Sequence, residues 1–500
     1  MEQQGRGRVW IFCVVTAALL LAICSKCSFL YPLNDWVDAN IYFTVGKGLL
    51  NGKVLYRDIY DHKGPLLYFL HAIAAVLSRK SFLGVYWIEI VAFTMFLMAA
   101  WKILRLYCEN SAIWMIPLLG AVILSSQAFC HGDSAEEMCL PILMWSLYES
   151  LRYFKKDYPH PMSYKTLFLH GCLAGAVLWI KYTMLGFHFA WMMMVFFSIA
   201  ALRDWKRSMY SCLVFLAGMS VTVIPWLLYF GWNSALTDLF KVYFYDNIFV
   251  YGSGEPLQLS RILRSMISNV IRAFRSNGKY SVFVVAGLLW HSFSGKNTLW
   301  EKGNVLALFS FMVFGICWGV VQWQPYYPLV IAIFAVLGFS ATGAVLESRL
   351  KTIPKRGSAL VALVAAVVLC VWTGNYTDQI GREKSELVQY QFADQIMETE
   401  DATLLNYGFL DSGFYTVCGN VPDFKYFCRI NIPLAAVFKT QEKLVLFGEV
   451  DYVITRGFVL QGKELRCYEK IAHTKSTYEG IEYDYYLYRN RALGEEKTER

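Results

Sequence analysis

The chain has 500 residues, 56% of them apolar and only 17% charged, with a mean hydropathy of +0.39, which excludes an ordinary soluble protein. Its formal charge of +8 is uneven: residues 376–500 hold 15 Lys+Arg against 20 Asp+Glu, leaving 31 against 18 for residues 1–375. Basic residues beside membrane spans follow from topology and anionic headgroups, so the charge implies membrane lipids as partners and no nucleic acid.

The first apolar run, Val9 to Leu30, follows Arg6 and Arg8. It exceeds the ~7–15 residues of a signal core and lacks a clear small-residue cleavage site, so it reads as a retained first span. Further apolar runs at about 82–104, 111–130, 138–154, 167–180, 184–201, 209–230, 280–293, 304–321, 326–346 and 358–375 bring the expected total to eleven spans. The segment Pro65 to Leu77 is apolar but short of the ~20 residues a crossing needs, and is read as a helix on the outer surface.

With the amino terminus inside, the inner connections hold Lys102, Arg105, Arg152, Lys155, Lys156, Lys165, Arg203, Lys206, Arg207, Lys296, Lys302, Arg349, Lys351, Lys355 and Arg356, while the short outer connections hold only Lys181. This predicts a multi-pass cell-membrane protein with a cytoplasmic amino terminus and an extracytoplasmic tail. Residues 1–375 form the membrane domain, including a first outer loop at 31–81. Residues 376–500 form a small α/β domain: a helix over 377–397 and strands at 403–407, 443–447, 451–455 and 483–488.

Thirteen cysteines give no disulfide framework: Cys24 and Cys27 close an apolar run, and Cys418, Cys428 and Cys467 allow at most one bridge. His131 and His188 lack metal-ligand spacing with any neighbour.

Polar chemistry concentrates in the first outer loop, where Asp35, Asp38, Asp58, Asp61, His62 and Lys63 fall within 29 residues beside hydrocarbon, denser than solubility requires. Asp38 and Tyr42, four apart, share a face if that stretch is helical. The plain alternative is a solvated loop with ordinary caps and turns.

Asp38-x-x-x-Tyr42, then Gly52-x-x-x-Tyr56-x-Asp58 and the corner Lys63-x-Pro65-x-x-Tyr68, resemble the first outer loop of the GT-C superfamily, and within it the protein O-mannosyltransferase and aminoarabinose-transferase-like bacterial group. The similarity is strongest over residues 30–80 and continues through Gly132-Asp133-Ser-Ala-Glu136-Glu137, Lys181-Tyr182-Thr183 and Gln324-Pro-Tyr326-Tyr327-Pro-Leu329. The resemblance implies a polytopic enzyme that moves a sugar, with inversion, from a polyprenyl-phosphate carrier to a cell-envelope acceptor. It places Asp38 as the catalytic carboxylate and Lys63 as the donor-phosphate lysine; His62 stands where many relatives have Glu, which shifts the acidic role to Asp61.

The chemistry asks for the same groups: a base to take the acceptor proton and cations to hold the leaving phosphate. Lys63 and Lys181 end their segments on the outer side, and Arg272 belongs to a basic outer loop with Arg261, Arg264, Arg275 and Lys279, for which headgroup contact is the alternative. Tyr42, Asp61, His62, Asp133, Glu137 and Tyr327 are the expected sugar- and acceptor-binding residues. No metal ligands are assigned and no cofactor is required, a divalent cation at Asp133, Glu136 and Glu137 with Asp38 being the alternative. The rival class is a polyprenyl-linked lipid flippase without transferase activity; clustering of charge on one face, rather than at the midplane, speaks against it.

Overall fold

The computed structural model describes residues 2–251, 259–318, 320, 322–349 and 357–493, with backbone alone for 2–6 and 357. Lys351, Lys355 and Arg356 of the basic inner cluster lie outside the described residues.

Each of the eleven apolar runs falls on a helix: Glu2–Cys24, Leu83–Leu104, Ala112–Leu124, Ala135–Arg152, Tyr164–Lys181, Leu185–Ala201, Trp205–Trp232, Gly278–Phe293, Leu299–Cys317, Tyr327–Phe334 running on into Ala335–Arg349, and Gly357–Thr373. Among the described residues six stretches are long and apolar enough by themselves to cross a bilayer, one being the 38 residues Tyr164–Ala201. That stretch is divided by Lys181, whose extended backbone (φ −157°, ψ 100°) ends one helix before a short 3₁₀ turn opens the next. The protein is a multi-pass helical membrane protein with a small C-terminal sheet domain.

Helix ends follow local chemistry. Ser134 accepts from the Glu137 amide and Ser163 from the Thr166 amide, while Thr298 and Glu301 close a reciprocal capping box. Pro65 opens the helix Pro65–Leu77 directly after Gly64, where its missing N–H is no loss. This helix has the bounds expected of the short surface segment.

Two compact units make up the chain. One comprises 1–28, 86–228 and 254–378; the other comprises 29–85, 229–253 and 379–500. In the first, Gly278–Phe293 packs on Ala335–Arg349, Leu185–Ala201 on Leu299–Cys317, and Ala112–Leu124 on Gly357–Thr373. In the second, the helix Val37–Leu50 packs along Pro65–Leu77, and Gly46 permits the approach: a Cβ there would lie 2.6 Å from the His71 carbonyl carbon.

The C-terminal sheet has four strands, β1 (Leu404–Tyr407), β2 (Tyr452–Arg456), β3 (Tyr468–Tyr478) and β4 (Ile481–Asn490), in the order β1-β2-β4-β3. β1 and β2 are parallel, and β4 is antiparallel to both of its neighbours. Leu405, Val445, Val453, Tyr468 and Tyr488 form its core.

The strand expected at 443–447 is instead the end of a helix, Ala435–Leu446. Val437, Gln441, Leu444 and Val445 are buried at helical spacing, and that longer period overrides the five-residue apolar run. β3 was not expected because its alternation is mostly polar. The helix expected over 377–397 is regular only at Val388–Ile396, after two 3₁₀ turns at Thr377–Gln379 and Lys384–Glu386. None of the thirteen cysteines forms a disulfide.

Candidate functional site

The first loop is largely buried rather than solvated. The helix Val37–Leu50 exposes little besides its last turn, and Asp38 in its first turn accepts from the Tyr42 hydroxyl at 3.3 Å. The Tyr42 ring meets the edges of Tyr68 and His71 at 6.2 and 5.6 Å. Tyr68 is the hub of the corner: its hydroxyl donates to Asp61 Oδ2 at 2.6 Å and accepts from the Lys63 amide at 2.9 Å. The Tyr56 hydroxyl in turn donates to the Lys63 carbonyl. Burial raises the Asp61 carboxyl above the usual carboxylate range, with Lys63 and the Tyr68 hydroxyl pulling the other way.

Asn247 holds His62 on both sides. It faces the imidazole Nδ1 through its Oδ1 at 2.8 Å and donates to the His62 carbonyl at 2.7 Å. Asp58 has a different job: its Oδ2 accepts from the Val54 amide and pairs with exposed Arg57, which closes a turn. Of the six charged residues that drew notice in the sequence, Asp58 is therefore a turn residue.

The opposite face of the same helix is polar as well. Asn40, Thr44 and Lys47 follow each other by four and three residues and are fully buried. Asn40 Oδ1 accepts from Thr416, Thr44 donates to Asp411 Oδ2 at 2.8 Å, and the Lys47 ammonium donates to the Tyr415 carbonyl at 2.6 Å. Asp411 also accepts from Asn406 and from the Gly413 amide, both at 3.1 Å. Burial pulls the Lys47 ammonium down to about 8, against the attraction of Asp411. Burial likewise raises Asp411, which the donors around it oppose.

In the helical unit, Lys181 pairs with Glu136 and lies 4.3 Å from the centroid of the Tyr327 ring and 5.5 Å from that of Tyr326. Asp133 sits in the left-handed region (φ 62°), directly after Gly132 (φ 83°). Its amide donates to Glu137 Oε2 at 2.7 Å and to Glu89 Oε1 at 3.0 Å, and Ser25 donates to Glu89. Gly132 is required twice over, since a Cβ would lie 2.4 Å from Ser25 Oγ and 2.7 Å from Glu89 Oε1. Glu89 and Glu137 thus hold the turn that presents Asp133. Arg272 stands exposed on the helix Leu259–Ser276.

Asp38, Tyr42, Asp61, His62 and Lys63 come together in one unit, and Asp133, Glu137, Lys181 and Tyr327 belong to the other. Tyr68 was visible in the sequence as the last residue of the corner. Asn247 and Glu89 were not: one lies in an irregular π-helical segment, the other is a lone acid inside an apolar run. A cavity of about 530 Å³ in the first-loop unit, lined by Tyr31, Lys80, Arg382, Lys384 and Tyr390 among others, contains none of the sequence-expected site residues. Among the described residues no three His, Cys, Asp or Glu side chains are grouped to hold a metal ion, and no step below is routed through one.

No protein-family model matches the sequence, and no curated protein matches it. Solved structures do match. The chain aligns with ArnT from Cupriavidus metallidurans, solved bound to undecaprenyl phosphate, at TM-score 0.58 and 10% identity, covering 96% of this chain and 98% of that one. The two chains share a fold. The oligosaccharyltransferase of Archaeoglobus fulgidus, solved with zinc and sulfate, aligns at TM-score 0.52 and 15% identity over 96% of this chain and 73% of that one. At these identities the likeness concerns the fold, and the chemistry rests on this chain's own residues.

Proposed function

We propose that the protein is an inverting glycosyltransferase that moves a sugar from a polyprenyl-phosphate carrier to a cell-envelope acceptor on the extracytoplasmic side of the membrane. The observation that carries the reading is the first-loop corner. One helix face presents Asp38 with Tyr42, and Tyr68 ties Asp61 to the backbone of Lys63. The GT-C fold supports it, as do the ligands of two solved neighbours: ArnT with undecaprenyl phosphate and AglB of Archaeoglobus fulgidus, TM-score 0.51, with an inhibitory peptide and a dolichol-phosphate.

In this reading Asp38 is the general base. It takes the acceptor proton as the acceptor oxygen attacks the sugar carbon from the side opposite the phosphate, and the carbon–oxygen bond to the phosphate breaks. Lys63 holds the growing negative charge on the leaving phosphate. Tyr42, Asp61 and His62 contact sugar and acceptor, with Asp61 and Tyr68 keeping the Lys63 corner in place.

The test is a transfer assay in membranes carrying the chain, with labelled polyprenyl-phosphate hexose and identification of the labelled product. Lys63→Ala is expected to weaken donor use strongly, and Lys63→Arg to restore part of it, because a planar fork does not copy a compact ammonium. Undiminished donor affinity and turnover in folded Lys63→Ala protein would remove the phosphate role. Movement of the lipid across the bilayer without any sugar transfer would favour the flippase.

A further inference from the structure

The helix Leu259–Ser276 combines arginines with exposed aliphatic residues. It carries Arg261, Arg264, Arg272 and Arg275, and four of its large apolar residues point outward: Leu259, Leu263, Ile267 and Ile271 are 63%, 47%, 63% and 61% exposed. At 3.6 residues per turn this i, i+4 series forms one stripe winding through about 120° of the helix surface. The four arginines occupy the next sector, an arc of about 80°. Asn269 and Ala273, the buried residues of the helix, occupy the third sector, where Asn269 donates to the Val320 carbonyl. The helix therefore has one side on the protein, one apolar side and one cationic side.

A water-facing stripe of four large aliphatic residues is unfavourable, each burying apolar area at about 25 cal/mol per Å² once covered. Chain continuity says what covers it. One residue after this helix ends, at Gly278, the apolar helix Gly278–Phe293 begins, with Val282, Leu289 and Phe293 themselves exposed. The C-terminal end of the arginine helix is thus fixed at the end of a membrane helix, at the depth where acyl chains give way to headgroups.

We propose that Leu259–Ser276 lies in the membrane interface, with its Leu/Ile stripe among acyl chains and Arg261, Arg264 and Arg275 on the phosphates of anionic phospholipid. A sector of hydrocarbon beside a sector of guanidinium matches the layered chemistry of a leaflet, whereas the surface of a soluble partner would have to supply both in parallel strips. The inference does not depend on which sugar or acceptor the enzyme uses.

The experiment uses the full-length protein in nanodiscs, with one nitroxide at a time on cysteines replacing Ile267, Ile271 or Ser268. Ile267 and Ile271 labels should be relaxed severalfold more by oxygen, which concentrates in hydrocarbon, than by a water-soluble nickel chelate, and the exposed Ser268 label should show the reverse. Equal chelate accessibility at all three sites would overturn the proposal. So would protection of Ile267 in native membranes but not in nanodiscs, which would mark a protein partner.

A second arm measures retained phosphatidylglycerol by native mass spectrometry. Arg261→Gln, Arg264→Gln and Arg275→Gln should each lower retention by about fivefold, equivalent to ~1 kcal/mol per arginine, with transfer activity in phosphatidylcholine nanodiscs unchanged. Retention equal to that of the unmodified protein would remove the phosphate contacts.

Discussion

Two helices of this chain invert the usual rule in opposite ways. Val37–Leu50 buries polar residues on both faces: Asp38 on one, and Asn40, Thr44 and Lys47 on the other. Leu259–Ser276 does the reverse, turning four large aliphatic residues outward. Burying a polar group is tolerable only when each hydrogen-bonding atom meets a specific partner, so the first helix is held in one register by named atoms. Exposing apolar surface needs only a medium of the right polarity, which holds a helix at a depth but not to a partner. The first arrangement suits a helix that must aim a reacting group, and the second suits one that must stay at a boundary.

The largest effect should come from breaking the aimed face. Asp38→Asn preserves shape and hydrogen-bonding size but cannot take a proton, so turnover should fall by roughly 10² to 10⁴ with donor binding nearly intact. Near-normal transfer would discard Asp38 as base, because Asn caps a helix about as well as Asp.

Next is the opposite face. Asp411→Ala leaves Thr44, Asn406 and the Gly413 amide without their acceptor, and should lower unfolding stability in detergent by about 3 kcal/mol or more, at ~1–3 per buried orphaned donor. A loss within the error of the melt would show that this face does not fix the helix. Gly46→Ala tests the same packing from the other side. Its methyl group would meet the His71 backbone at 2.6 Å, so a loss of about 1–3 kcal/mol is expected, with Pro65–Leu77 displaced.

Lys47 sharpens the comparison through pH. Its folded value of about 8 lies below the ordinary 10.5, so between those limits the unfolded chain binds the proton and the folded chain does not. Its contribution makes stability rise with pH across that window and adds no slope well below it. Buried tyrosines titrate nearby, so the measured quantity is the difference between the protein and Lys47→Met. The variant should lack the rise, and parallel profiles would show that Lys47 is not held where its ammonium is disfavoured. The smallest effect is expected at Asp58→Ala, where a half-exposed turn pair with Arg57 should be worth no more than about 1 kcal/mol in the same melt.

The membrane body was legible because its signal is local: every apolar run became a helix, and the 13-residue segment after Pro65 took its expected bounds. The Asp38–Tyr42 pairing was legible for the same reason, four residues being one turn. The tail was read less well. Its strand β3 shows mostly polar alternation, and its helix Ala435–Leu446 ends in an apolar run that imitates a strand. Contacts distant in sequence leave no periodic trace: Thr44 meets Asp411 across 367 residues, and Glu89 meets Ser25 across 64. The i, i+4, i+7 spacing of Asn40, Thr44 and Lys47 puts them on one helix face, but nothing in the pattern names residues 411–416 as its partners.

That separation sets an order of events during synthesis. The acceptors for Thr44 and Lys47 are 367 and 368 residues further along the chain, so they are made long after Val37–Leu50. The helix must wait in contact with water, other protein or a chaperone until residues 411–416 arrive. A chain halted before Asp411 would insert its membrane helices normally and still leave a lysine and a threonine with no site to enter, a state for quality-control proteases to recognise. A segment translated long after the first loop is therefore the one that completes it.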